Sequence, residues 1–84
     1  MFLGWYDPDR KRPAREKLAD ALGRYEQKFR RKAVACLTSV ADADELAADK
    51  KAPKVPVKGV AYIPRHTYYV GVEEVPVETL AEAA

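Results

Sequence analysis

Residues 13–30 read PAREKLADALGRYEQKFR and carry the strongest periodic pattern in the chain. Apolar side chains recur there at the spacing of one helical face, namely Ala14, Leu18, Ala21, Leu22, Tyr25 and Phe29. Pro13 suits the first turn of a helix, because the N–H that proline lacks would have no intrahelical partner at that position. The pattern predicts an amphipathic helix from about residue 13 to residue 30, in which Gly23 costs ~1 kcal/mol relative to alanine.

Two short apolar segments flank this helix and are predicted to be strands. Residues 2–6, FLGWY, are apolar and aromatic, and they are followed by residues 7–9, DPD, a combination that favours a turn. Residues 33–38, AVACLT, form an apolar run with a β-branched end, which is typical of a strand buried on both faces. The helix is thus expected to connect two strands.

A second, shorter helix is predicted after the second strand. Ser39 offers an N-cap, with Asp42 three residues on as a weak capping-box partner. The helix should continue through Leu46 to about Asp49, and its few apolar residues favour a position on the sheet. Residues 50–56 carry two prolines and three lysines, a composition typical of an exposed loop.

The last two β segments, residues 57–63 and 67–75, are separated by residues 64–66, PRH. Proline at the second position of a turn presets φ, so this spacing predicts a β-hairpin. Alternate residues of a strand share a face. Tyr68 is therefore expected in the core and Tyr69 on the opposite side of the sheet.

Together these elements predict a small α+β domain with the order β-α-β-α-β-β. The sheet is expected to be mixed and four-stranded, or three-stranded without the first strand, with one long amphipathic helix and one short helix packed on it. We assign residues 1–76 to this domain, because 84 residues support one core and no second one. Residues 77–84 form a tail that could make a short docked helix.

The composition excludes several classes of protein. The single cysteine, Cys36, rules out an internal disulfide, and one His with one Cys cannot supply the four ligands of a structural zinc site. No apolar run approaches the ~20 residues of a membrane-spanning helix, and the first residues lack the pattern of a secretory signal. We therefore expect no metal, no cofactor, no membrane contact and a cytoplasmic location, with which a free thiol is compatible.

Charge is divided unevenly along the chain, although the net charge is only +2. Residues 1–33 contain ten Lys and Arg against five acids, whereas the remainder contains five against eight. Basic residues cluster at both ends of the predicted helix, at Arg10, Lys11 and Arg12 and again at Lys28, Arg30, Arg31 and Lys32.

These cations could straddle the phosphates of a nucleic acid, because neutralising a phosphate backbone releases counterions. The alternative is a solvated helix face, on which Asp20 pairs with Arg24 and Glu26 with Arg30 at i,i+4 spacing.

Aromatic residues form a second cluster, which consists of Trp5, Tyr6, Tyr62, Tyr68 and Tyr69, with Arg65 and His66 at the turn. Exposed rings on a sheet can stack on bases, as in proteins that bind single strands. Because large rings also supply much of the area of a small core, we expect at least half of these five to be buried. Tyr69 is the exception, and with Trp5, Arg65 and His66 it makes a candidate partner-binding set.

Catalysis finds little support in the sequence. Cys36 falls in a predicted buried strand, where an apolar environment raises the pKa of a thiol and hinders nucleophilic attack. His66 has no partner at a motif spacing, and the glycines stand alone rather than in a phosphate-binding loop. An enzyme remains an option only if neighbouring copies bring His66 together with Glu73 or Glu74.

The sequence favours a non-enzymatic interaction module, either a homo-oligomer or a small subunit of a larger protein assembly. The motivation is small size without disulfides or metals, segregated charge, and more aromatic strand residues than so short a core needs. Nucleic-acid binding through the basic first helix is the alternative. No small-molecule substrate is evident, and partner and stoichiometry stay open at this point.

Overall fold

The secondary-structure elements follow one another in the predicted order, β-α-β-α-β-β. The computed structural model describes residues 2–72. Its elements are β1 (Phe2–Tyr6), α1 (Ala14–Phe29), β2 (Ala35–Thr38), α2 (Val40–Ala48), β3 (Val57–Gly59) and β4 (Thr67–Gly71). The predicted end of the domain at residue 76 and the predicted tail, residues 77–84, lie outside the described residues. Neither α1 nor α2, the helices of residues 2–72, is long and apolar enough to cross a membrane.

The four strands form one mixed sheet in the order β1-β4-β2-β3. The strand β4 is antiparallel to both β1 and β2, whereas β2 and β3 are parallel. The predicted hairpin between β3 and β4 is therefore wrong, because β2 lies between them. A turn in which Ile63 N–H donates to Val60 O follows β3, and the seven residues from 60 to 66 are longer than a tight hairpin loop.

Both helices pack on the same face of the sheet. The buried residues of α1 are Ala14, Lys17, Leu18, Ala21 and Tyr25, and its apolar members join Cys36, Leu46, Tyr68 and Val70 in one core cluster. This arrangement confirms the amphipathic helix and the predicted burial of Tyr68. The other residues of the predicted stripe, Leu22 and Phe29, are only partly buried against the core.

The opposite face of the sheet is largely open. Gly4, Tyr6 and Tyr69 are exposed on it, and Leu37 is half-buried. The prediction that β2 is buried on both faces is wrong. Only the face that carries Cys36 is buried, because no helix of the described residues covers the other face. The result is a two-layer domain with one bare sheet surface, which we call the open face.

The start of α2 is fixed by the predicted N-cap. Ser39 Oγ accepts the backbone N–H of Asp42 at 3.0 Å, which satisfies one of the free donors in the first turn. In return the Ser39 hydroxyl donates to Asp42 Oδ2 at 2.6 Å, so the cap also fixes the carboxylate of Asp42. That carboxylate is 1% exposed.

Candidate functional site

A pocket of about 790 Å³ lies where the loop after β1, the first turn of α1, the helix α2 and the turn before β4 meet. Six of its lining residues are Lys, Arg or His, namely Arg10, Lys11, Arg12, Lys17, Arg65 and His66. Only two acids, Asp42 and Glu45, line it as well. We refer to this feature as the basic pocket.

Lys17 is the unusual residue of the basic pocket. It is 1% exposed, and its Nζ lies 2.8 Å from Nδ1 of His66. No carboxylate among residues 2–72 lies within ion-pair distance of this ammonium group. Asp7 interacts with Lys17 at longer range, but its carboxylate already pairs with Arg12. A buried cation without a counterion in direct contact is costly, and basic residues outnumber acids in the lining of the pocket.

The contact between Lys17 and His66 also fixes the tautomer of the histidine. An ammonium group can only donate hydrogen bonds, so Nδ1 of His66 must accept and the ring proton resides on Nε2. Lys17 has three donors, of which this contact uses one. Lys17 lines the basic pocket, so a small outward shift of this nearly buried side chain would present its remaining donors to an anion.

His66 is held in a left-handed backbone conformation, with φ of 67°. Histidine is one of the side chains more often found there, and the conformation persists because its backbone N–H donates to Asp42 Oδ2 at 2.8 Å. Next to it, Arg65 Nε donates to Asp42 Oδ1 at 3.2 Å. Asp42 thus fastens the turn that carries both residues onto α2.

The pKa of Asp42 reflects two opposing effects. Burial alone would raise it, but the hydrogen bonds from Ser39, the His66 backbone and Arg65 outweigh burial and leave the pKa below its usual value. Asp42 is consequently a carboxylate that positions the turn. Its charge is already matched by the 3.1 Å contact with Arg65 Nη2.

Glu45, the second acid, also has a structural task. Its Oε2 accepts the backbone N–H of Ala14 at 2.6 Å, and its Oε1 lies 3.7 Å from Arg65 Nη2. Because Pro13 provides no side-chain cap for α1, a glutamate from α2 satisfies this donor instead. Both acids of the basic pocket are thus committed to contacts other than Lys17.

The predicted basic residues at the start of α1 fall into two kinds. Arg12 makes 2.8 Å ion pairs with Asp7 and Asp20, and the hydrogen bond from Arg12 to Asp20 raises the pKa of the guanidinium further. The i,i+4 spacing of Asp20 and Arg24 predicts an ion pair between them, but Asp20 pairs with Arg12 instead. Arg10 and Lys11 are exposed at the pocket and form no ion pair with a residue in the described range.

The second basic cluster lies at the opposite end of α1. A helix of 16 residues is about 24 Å long, so the two clusters are far apart. None of the later cluster, Lys28, Arg30, Arg31 and Lys32, lines the basic pocket. The seven residues singled out as nucleic-acid-binding candidates therefore lie at the two ends of α1, and three of them line the basic pocket.

The predicted partner-binding set is also divided. Arg65 and His66 line the basic pocket, and Tyr69 is 39% exposed on the open face. Trp5 packs toward the helices instead, and its Nε1 is buried with no hydrogen-bond partner among residues 2–72.

The expectation that at least half of the five clustered rings are buried is wrong. Tyr68 is buried and Trp5 half-buried, but Tyr6, Tyr62 and Tyr69 are exposed. Tyr6 and Tyr69 are exposed because the helices cover only the other face of the sheet, whereas Tyr62 lies in the turn region between β3 and β4. Tyr6, which is 65% exposed, also lines the basic pocket.

Sequence reasoning missed Lys17 and the role of Asp42 as a clamp, and it left Tyr6 out of the partner-binding set. A signal for Lys17 was present, because it lies three residues after Ala14 and four before Ala21, on the buried stripe of α1. A lysine on an apolar stripe is rare unless it is paired or functional. Nothing in the sequence indicated that Asp42 would reach His66.

The described residues offer little support for nucleophilic catalysis or metal binding. Cys36 is 1% exposed, and burial raises the pKa of its thiol to about 12, which suppresses the thiolate. Within residues 2–72, no three His, Cys, Asp or Glu side chains are grouped as a metal site would require.

The chain matches no protein-family model, no curated protein and no solved structure.

Proposed function

We propose that this protein is a non-enzymatic binding module that holds a phosphate-bearing ligand in the basic pocket. The observation that carries the proposal is the buried ammonium of Lys17, which contacts His66 and no carboxylate of the described chain. A phosphate would supply the missing negative charge and accept the remaining hydrogen bonds of the pair.

The size and lining of the pocket support a ligand larger than a bare ion. A volume of about 790 Å³ falls in the range of sites for small molecules and cofactors. Arg10 and Lys11 stand at the pocket without ion-pair partners in the described chain, so they are available to a second phosphate or another anionic group.

A binding role is favoured over a catalytic one by what the reactive groups do. Cys36 is buried with a raised pKa, and Asp42 is tied into three hydrogen-bonding contacts that orient the turn. A cytoplasmic location belongs to the same proposal, and the free, buried thiol of Cys36 is compatible with it.

Titration calorimetry of the full chain with inorganic pyrophosphate at low salt tests the proposal. We expect binding that weakens as salt is added, and its loss in Lys17→Met, which keeps the length of the side chain without its charge. Lys28→Met is the matched control, because it removes the same charge from an exposed position on the same helix. Absence of binding by the wild type, or equal losses in both variants, would refute the proposal.

Self-association is a second candidate, and a different surface favours it. A largely apolar depression of about 520 Å³ lies beside the end of α1, bordered by Leu22, Ala33, Val34 and Val55. Val34 is 54% exposed, and the rim carries Glu26 together with Lys32 and Lys54.

A rim with both signs of charge matches a second copy turned about a two-fold axis, so that an acid of one copy meets a base of the other. Sedimentation velocity over a range of concentrations tests this. We expect a dimer in the wild type that Val34→Asp disrupts while the basic pocket still binds pyrophosphate. A monomer at every concentration contradicts it.

A further inference from the structure

We propose that the ligand of the basic pocket is single-stranded nucleic acid, with bases stacked on Tyr6 and Tyr69 of the open face and a phosphate held by Lys17 and His66. This inference rests on the proposed function, since the pocket supplies its phosphate contact. It adds a specific ligand class and two residues outside the Lys17–His66 pair.

The first support is the relative position of the two tyrosines. Tyr6 is opposite Thr67 in the register of β1 and β4, and Tyr69 is opposite Gly4. Tyr6 and Tyr69 are therefore diagonal neighbours on the same face of the sheet, for which Cβ atoms are about 7–8 Å apart. Their exposed fractions are 65% and 39%, so both rings present surface to solvent.

Gly4 allows the ring of Tyr69 to lie against the sheet. A Cβ atom placed on Gly4 would be 3.1 Å from Cε1 of Tyr69, which is closer than ordinary van der Waals contact. The ring thus lies close to the backbone at position 4, and Tyr69 stays 39% exposed on the open face. A ring supported in this way is a preformed stacking surface that loses little conformational freedom on binding.

The second support is that these rings lead directly into the basic pocket. Tyr6 lines the pocket and is followed by Asp7, whose backbone N–H donates to His66 O at 3.0 Å. A strand stacked on Tyr69 and Tyr6 would therefore continue toward the basic pocket, which Tyr6 lines together with Lys17 and His66. Arg10 and Lys11 add two exposed cations at the same end.

The chemistry of this surface favours a single strand over a duplex. Bases in a duplex are stacked on one another and show only their edges, whereas unpaired bases can stack on aromatic side chains. Aromatic rings combined with a positively charged groove are typical of proteins that bind single strands with little sequence preference. In this protein the open face carries the aromatic rings that would stack on bases, and the basic pocket carries the positive charge that would hold a phosphate.

Fluorescence anisotropy with a labelled oligothymidylate of about eight nucleotides tests the inference, a length within the site sizes of known single-strand binders. We expect Tyr6→Leu and Tyr69→Leu each to weaken binding about tenfold, the effect of losing one stacked base. The control is Tyr62→Leu, since Tyr62 is 87% exposed but lies away from the pocket, and its affinity should equal that of the wild type. A melting curve for each variant confirms that it is folded.

Pyrophosphate binding separates this inference from the proposed function. If Tyr69→Leu, which changes no lining residue of the basic pocket, binds pyrophosphate normally and the oligonucleotide weakly, both stand. If the wild type binds pyrophosphate, but the tyrosine variants bind the oligonucleotide as the wild type does, the stacking inference is overturned and the proposed function is not. Equal affinity for a duplex of the same length, or for thymidine monophosphate, also overturns it. Failure to bind pyrophosphate overturns the proposed function.

Discussion

Nζ of Lys17 lies 2.8 Å from Nδ1 of His66, at the base of a pocket lined mainly by basic side chains. Neither group forms an ion pair with a carboxylate of residues 2–72. A fold selected only for stability has no use for a buried ammonium group in such surroundings. Departures of this kind are expected at functional sites, where local rules give way to binding.

Replacing Lys17 by methionine should stabilise the protein in the absence of ligand. Methionine fills a similar volume without a charge to desolvate, so we expect the free energy of unfolding to rise by about 1 kcal/mol. Urea denaturation of wild type, Lys17→Met and the exposed control Lys28→Met measures this. A clear loss of stability in Lys17→Met alone would show that the ammonium group stabilises the fold, contrary to this argument.

Replacing Asp42 by asparagine should destabilise the protein in a pH-dependent way. The variant weakens the contacts to Ser39, His66 and Arg65, and we expect a loss of about 2 kcal/mol near pH 7. The pKa of Asp42 is lowered from its ordinary value of 3.8, so its carboxylate stabilises the fold above that pH and less as pH falls through the folded pKa. The penalty of Asp42→Asn should therefore shrink below about pH 4.

Urea denaturation at pH 7, 5 and 3 gives this profile, and Asp44→Asn is the control because Asp44 is exposed on the same helix. The control should cost under about 0.5 kcal/mol at each pH. A penalty for Asp42→Asn that is the same at pH 3 as at pH 7 would contradict the assignment of Asp42 as a charged clamp.

Two glycine-to-alanine substitutions should have opposite effects. A Cβ atom on Gly59 would lie 3.0 Å from the backbone Cα of Val40 and 3.2 Å from Cβ of Ala43, so β3 and α2 would have to separate. We expect Gly59→Ala to lower the melting temperature, with a cost of about 1–2 kcal/mol. Gly23→Ala meets nothing within 4 Å inside α1 and should stabilise by about 0.5–1 kcal/mol. Shifts of the melting temperature with the same sign in both variants would contradict the close approach of β3 to α2.

The thiol of Cys36 should react very slowly with thiol reagents in the native protein. Its thiol is buried and its pKa is raised to about 12, chiefly by burial and secondarily by the charge of Asp42. Reaction with an aromatic disulfide reagent at pH 8 should be at least about a hundredfold slower than in denaturant, because both access and thiolate are suppressed. Rapid labelling under native conditions would show that β2 opens readily.

The elements that could be predicted are those whose signal lies within a few consecutive residues. The helix α1 was recognisable from apolar spacing, the strand β1 from residues 2–6, and the cap of α2 from Ser39. Each depends on contacts between neighbours in the chain. The pairing of β3 could not be predicted in the same way, because Cys36 and Val57 are 21 positions apart and nothing local favours this pair over a hairpin.

The sequence on its own was sufficient for the division of charge, the amphipathic helix and the burial of Cys36, since composition and periodicity carry these directly. The basic pocket required the folded chain. Lys17 and His66 are 49 positions apart, and Asp42 and His66 are 24 apart, so only the packing of α1, α2 and β4 on one sheet brings them together. The role of Lys17 follows from its burial and from the absence of an ion pair with it in the described chain, and both are properties of its three-dimensional surroundings.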